Sequence, residues 1–188
     1  GDWEKPTAVV FVFHLPWLGP LAQAMGGVPD DLEKWLLLRP GDDASAVADL
    51  LESEGADTSK WRMIHVDVDT PWIRDYGPIQ VMENDGSGIW LDALYNDEER
   101  RSDDALPDQL AKIAGARLEP TDLAIDGGAI VANGQGLCVS TLDAFDDANI
   151  PWREEDQATA ILGTLGCRVL ALVPSLQDEP TKHADMFV

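Results

Sequence analysis

One order of elements, strand, strand, helix, strand, recurs three times along this chain at a spacing of about fifty residues, and that recurrence limits the folds open to it. In the first copy, Ala8 to Leu15 and Lys34 to Leu38 are apolar runs suited to buried strands. Asp43 to Glu54 then carries Val47, Leu50 and Leu51 on one helical face, and Trp61 to Val66 returns to strand character. In the second copy, Ile79 to Glu83 and Ile89 to Leu94 flank the turn Asn84-Asp-Gly-Ser-Gly88. Leu106 to Ala114 is helical and Arg117 to Ile125 extended. In the third, Ala129 to Ala132 and Leu137 to Thr141 flank Asn133-Gly-Gln-Gly136, Arg153 to Leu165 reads as an amphipathic helix, and Cys167 to Val173 as a strand. Each copy ends on polar groups: Asp75, then Asp126-Gly-Gly128, then His183-Ala-Asp185. Repeats set radially about an axis would bring those ends together, as in a propeller, whereas strands and helices that merely alternate would give an ordinary α/β domain. The expected organisation is a single domain over 1–188, with repeats at approximately 1–75, 76–126 and 127–188.

Composition narrows the partners. Thirteen Lys and Arg against 35 Asp and Glu give a formal charge of −22, which argues against nucleic acid, whose binding depends on cationic side chains meeting phosphates. Cationic ligands are favoured, although an acidic surface that serves only solubility is the plainer reading of the same charge. With 45% hydrophobic residues the 188-residue chain has enough apolar material for a sizeable core. No apolar run is long enough to span a bilayer, and no signal-peptide pattern stands at the start, so no membrane partner is expected and the compartment stays open. Cys138 and Cys167 both sit in apolar stretches and read as two unpaired core thiols rather than a disulfide framework.

The densest chemistry lies in Asp69 to Pro78, where Pro71 fixes its own φ and Gly77-Pro78 ends the run, so Trp72, Arg74 and Asp75 are presented by a loop of limited freedom. This segment resembles the W-x-R-D-x-G-P motif of the bacterial peptidylarginine deiminase and agmatine deiminase family. Ile125 to Gly136 is similar to that family's E-G-G-N…D-G-x-G segment, and Thr181 to Val188 to its G-H-I-D-M-F segment. With Trp3-Glu4 near the start, the resemblance covers essentially the whole chain. It departs from the pattern at Asp126, where Glu is usual, at Ala129 for Asn, at Lys182 for Gly and at Ala184 for Ile or Val.

The resemblance implies the pentein fold, a five-bladed α/β propeller of ββαβ repeats of which about three blades would be present here. It also implies hydrolysis of a guanidino group to a ureido group with release of ammonia, through a covalent thiouronium adduct on a cysteine and with no cofactor or metal. Asp75 and Asp185 would grip the planar guanidinium, His183 would act as general acid and base, and Asp126 would orient His183, its side chain one methylene shorter than Glu and leaving space for a water. Trp72 would stack on the substrate. Arg74 would pair with an acid of the site or bind a substrate carboxylate. Neither Cys138 nor Cys167 stands at the position of the nucleophile, which is expected outside these 188 residues. The partners implied are an arginine-containing peptide or small guanidino compound, together with a homo-oligomer or a complementing C-terminal segment. Tyr76, in an R-D-Y-G-P form, points to peptidyl-arginine over agmatine. A non-catalytic guanidinium-binding module is the alternative of a different class. Among the polar groups, His65-Val-Asp67-Val-Asp69 and His183-Ala-Asp185 also admit a metal reading, His14 reads as a core histidine, and Asn96 to Asp104 as a solvated acidic loop.

Overall fold

The structure is a computed structural model that describes residues 6–83, 85–95, 99–147, 161 and 163–188. It has an α/β fold containing three separate three-stranded sheets. The chain divides into two compact units: one runs up to Ile73 and adds Arg100–Leu106, and the other holds Arg74–Glu99 and Pro107–Val188.

In the first unit β1 (Ala8–Val12), β2 (Glu33–Leu38) and β3 (Arg62–His65) pair in that order, all parallel. The central strand is buried on both faces. Leu36 and Leu38 join a core with Met25 and Leu51, and the alternate Leu37 is also fully buried. α1 (Leu18–Gly27) connects β1 to β2, and α2 (Ala44–Ser53) connects β2 to β3. The expected ββαβ order is therefore βαβαβ here. α1 escapes the sequence pattern because Gly19, Pro20, Gly26 and Gly27 dilute its helical signal. Pro20 lies in the first turn, where a missing N–H leaves no helical bond unmade. α2 starts where Asp43 caps it, its Oδ1 accepting from the amides of Ser45 at 2.9 Å and Ala46 at 3.1 Å.

The second unit carries two sheets of one plan. After the single turn α3 (Ile73–Tyr76), β4 (Ile79–Met82) and β5 (Gly88–Asp92) form an antiparallel hairpin, and β6 (Leu118–Pro120) adds parallel to β5. Between β5 and β6 in sequence come α4 (Arg101–Asp104), which belongs to the first unit, and α5 (Leu106–Ala114). β7 (Ile130–Ala132) and β8 (Leu137–Thr141) form the second hairpin, and β9 (Val169–Val173) adds parallel to β8 after α6 (Leu142–Asp147). Asn133 shapes that hairpin turn, its Oδ1 accepting from Gln135 N at 2.8 Å and Leu137 N at 2.9 Å, while Gly134 and Gly136 take positive φ.

Several expectations change. Cys138 and Cys167 are joined in a disulfide with Cα atoms 5.8 Å apart, which the parallel pairing of β8 with β9 brings about across 29 residues. Both sulfurs lie in the core of the third sheet, beside Phe145. The acidic stretch before α5 is not wholly solvated, because Asp103 on α4 is fully buried. His14 is only partly buried and meets the Trp17 ring edge-on. Trp3-Glu4, Asn84, residues 96–98 and most of the expected helix Arg153 to Leu165 lie outside the described residues. Among the described residues no helix is long and apolar enough to cross a membrane, and no group of three His, Cys, Asp or Glu is arranged to hold a metal ion. His65 Nε2 instead meets the Asp42 carbonyl at 2.9 Å.

Candidate functional site

Within the second unit, five of the polar residues singled out by sequence meet. His183 Nε2 lies 3.2 Å from Asp126 Oδ2, with no water needed between them, and its Nδ1 lies 3.4 Å from Asp75 Oδ1. Asp185 Oδ2 lies 3.4 Å from Arg74 Nε, and Arg74 Nη2 donates to the Ile130 carbonyl at 3.0 Å. The imidazole is enclosed, its side chain 8% exposed, while Asp75, Asp185 and Asp126 keep an open edge.

Glycine makes this convergence possible. A Cβ on Gly128 would stand 2.5 Å from His183 Nδ1, 2.6 Å from Asp75 Oδ1 and 3.0 Å from Asp185 Oδ2, so any side chain there would enter the cluster. A Cβ on Gly127 would stand 2.1 Å from the Arg74 carbonyl oxygen. The short turn Gly127–Ala129 after Asp126 is therefore the floor over which the three side chains gather.

Two hydroxyls that the sequence reading passed over hold that floor and the histidine segment. Ser140 and Thr141 end β8, both fully buried. Ser140 Oγ donates to the Ala129 carbonyl at 2.7 Å, and Thr141 Oγ1 donates to the Lys182 carbonyl at 2.5 Å. Adjacent hydroxyl residues closing an apolar strand were the available signal, since buried hydroxyls need partners. The His183 amide is held from its own loop by Glu179 Oε2 at 3.2 Å. Lys182 adopts φ 59°, the left-handed region that suits the Gly which the resemblance puts at this position.

Charge sets the protonation states. Burial pulls the His183 imidazole down, but the hydrogen-bonding carboxylates of Asp126 and Asp75 outweigh it and push the ring up to about 10. At neutral pH it is an imidazolium. Burial pushes the Asp185 carboxyl up and Asp75 adds to that, while Arg74 and His183 pull it back. The carboxyl groups of Asp75, Asp126 and Asp185 thus face two basic side chains, Arg74 and His183.

Trp72 belongs to the other unit, where its ring meets Trp17 edge-on with centroids 4.7 Å apart and remains 45% exposed. Tyr76 is 3% exposed and packs against Tyr95.

A family model described as Porphyromonas-type peptidyl-arginine deiminase matches residues 25–188 of this chain. A Streptomyces avermitilis protein provisionally named an agmatine deiminase is 30% identical over 135 residues, 68% of this chain and 37% of that protein. Among solved structures, a substrate-bound variant of the C. jejuni agmatine deiminase has 19% identity and a TM-score of 0.77, covering 97% of this chain and 58% of its own. The Enterococcus faecalis agmatine deiminase has 15% identity and a TM-score of 0.74, with coverage of 97% and 55%. These structural likenesses concern the fold. The chain spans a little over half the length of these solved relatives.

Proposed function

Because the chain belongs to the Porphyromonas-type peptidyl-arginine deiminase family, a family of hydrolytic deiminases, we propose that its Asp75–Asp126–His183–Asp185 cluster binds and activates one guanidinium group. The observation that carries this reading is the gathering of His183 Nδ1, Asp75 Oδ1 and Asp185 Oδ2 within 3.0 Å of the position that Gly128 leaves empty. Asp75 and Asp185 accept the forked N–H groups of the ligand, which holds its central carbon in place for attack. Arg74 is read as the residue that orients Asp185.

In the reaction we assign, a cysteine thiolate forms a C–S bond to the guanidinium carbon. His183, cationic in the resting site, gives its proton to the departing nitrogen as the C–N bond breaks and ammonia leaves. The neutral ring then takes a proton from water, whose oxygen attacks the same carbon. The C–S bond breaks, the thiolate returns, the added oxygen gives its remaining proton to the released ammonia to form ammonium, and a neutral ureido product remains. Asp126 holds the ring and stabilises its cationic form throughout. Cys138 and Cys167 are bonded to each other, so the thiolate is assigned to a residue outside these 188, supplied by a complementing segment. In the same reading the three sheets are three of the five blades of a pentein propeller.

Arginine in peptides is the first substrate class, after the family's description and the R-D-Y-G-P form. Agmatine is the second reading, favoured by the 30% identity to a protein named for agmatine deimination; Tyr76 is only 3% exposed, so the residue that separates the two sequence forms is a packing residue. The test is calorimetric titration with agmatine and with N-acetylarginine amide, using an acetylated lysine amide as control, beside a citrulline colour assay. Both guanidino compounds should bind and the lysine compound should not. Equal binding of the lysine compound would refute guanidinium recognition.

A further inference from the structure

Two charged side chains that the chemistry above leaves unused grip one short stretch of backbone in the first unit. Asp103, 0% exposed, accepts from the Asp69 amide at 2.7 Å, the Thr70 amide at 3.1 Å and the Thr70 hydroxyl at 2.7 Å. Arg39 donates from Nε to the Val68 carbonyl at 3.1 Å and from Nη2 to the Asp69 carbonyl at 2.9 Å. The anion takes the N–H groups and the cation takes the C=O groups of Val68, Asp69 and Thr70, so both edges of the backbone are held. The Ser102 amide closes the arrangement by donating to Asp69 Oδ2 at 2.9 Å.

A buried carboxylate is costly unless donors fill its lone pairs, and here three do so, contributed from more than thirty residues away in sequence. Packing gives no reason for this expense in a short polar loop. Position does: the held stretch ends at Thr70, Pro71 follows with its φ fixed by its ring, and Trp72 comes next. The Ile73 amide then bonds back to the Pro71 carbonyl at 2.9 Å as the chain turns into α3, which carries Arg74 and Asp75. With Val68 to Thr70 immobilised, little torsional freedom is left before those side chains.

The geometry points to Arg39 and Asp103 as a pair of positioning residues that lock Val68–Thr70 and so set the direction in which the chain delivers Trp72 and enters the Arg74-Asp75 turn. What the delivered residues bind rests on the function proposed above. The lock itself does not.

The test compares Asp103→Ala, Asp103→Asn and Thr70→Val with Leu51→Ala, a cavity variant in the core of the same unit. Three readouts are taken well below the melting temperature: amide hydrogen exchange at Asp69 and Thr70, the indole N–H resonance of Trp72, and agmatine affinity. Asp103→Ala should speed exchange at both amides by about 100-fold, displace the Trp72 resonance and weaken agmatine about 10- to 100-fold. Asp103→Asn should stay within about threefold of the parent affinity, because its Oδ1 still accepts the amides and its Nδ2 donates to the Thr70 hydroxyl. Leu51→Ala should leave the Trp72 resonance and the affinity at parent values. An equal loss in Leu51→Ala, or an unmoved Trp72 resonance in Asp103→Ala, would overturn the inference. If Asp103→Ala does not fold, Thr70→Val, which deletes only the hydroxyl, should move all three readouts in the same direction by less, and no movement overturns the lock. If the parent chain binds no guanidino compound, the function reading fails, while exchange and the Trp72 resonance still decide the lock.

Discussion

The sheet β1–β2–β3 and the sheet β7–β8–β9 each have three strands, yet they hold together by different means. The first is all parallel and organised around Leu36, Leu37 and Leu38, buried on both faces of its central strand. The third has a three-residue edge strand, a disulfide between its parallel pair, and buried hydroxyls at the end of its central strand. In the first sheet apolar burial leads. Where a histidine and three carboxylates must gather over a glycine turn, directional bonds and a covalent link take over part of that work, since each fixes a position and not just a contact.

That contrast can be broken or sharpened in four steps of decreasing size. The largest effect expected is on pH dependence. Because the folded site raises the His183 pKa to about 10 from its ordinary 6.5, the stabilisation is complete below pH 6.5 and is lost as pH climbs toward 10. A loss on the order of 5 kcal/mol follows from about 1.4 kcal/mol per pKa unit. Urea unfolding across that range should show the decline, and Asp126→Asn should flatten it; a profile unchanged by Asp126→Asn would remove the carboxylate as its cause. Next, Cys138→Ser with Cys167→Ser should cost about 3.5 kcal/mol through the freed 29-residue loop, read as a lower melting temperature. The matching lesion in the other sheet, Leu36→Ala, should cost about 3 kcal/mol by opening a cavity, without moving the His183 titration followed by NMR. A shifted titration there would mean that the two sheets are not separate in their work. Smallest, Lys182→Gly should stabilise by about 0.5–1 kcal/mol, because Gly occupies the φ of 59° without strain. Calorimetry showing a destabilised variant would contradict that account of the loop.

The parts legible in sequence were those written in local code. α2 was readable from its Asp43 cap and apolar face, the β7–β8 turn from Asn133 and its glycines, and the polar cluster from three motifs that recur at like spacing. What escaped reading depended on distant pairing. The Cys138–Cys167 bridge exists because β9 pairs with β8, which no local pattern states. Asp103 looked like one more acid in an acidic run, and only the arrival of Asp69 and Thr70 makes its burial tolerable. α1 was hidden by its own glycines and proline, so tertiary contact through Ala22 and Met25 overrode weak propensity.

The central claim is that the carboxylates of Asp75, Asp126 and Asp185, gathered with His183 around Gly128, bind a single guanidinium. Titration calorimetry of agmatine into the parent chain and into Asp75→Asn, Asp185→Asn and Leu36→Ala tests it most directly. One-site binding in the parent and in Leu36→Ala, with a loss of about 100-fold or more in both aspartate variants, is the predicted result. Binding that survives both aspartate substitutions unchanged, or no binding by the parent, would contradict it.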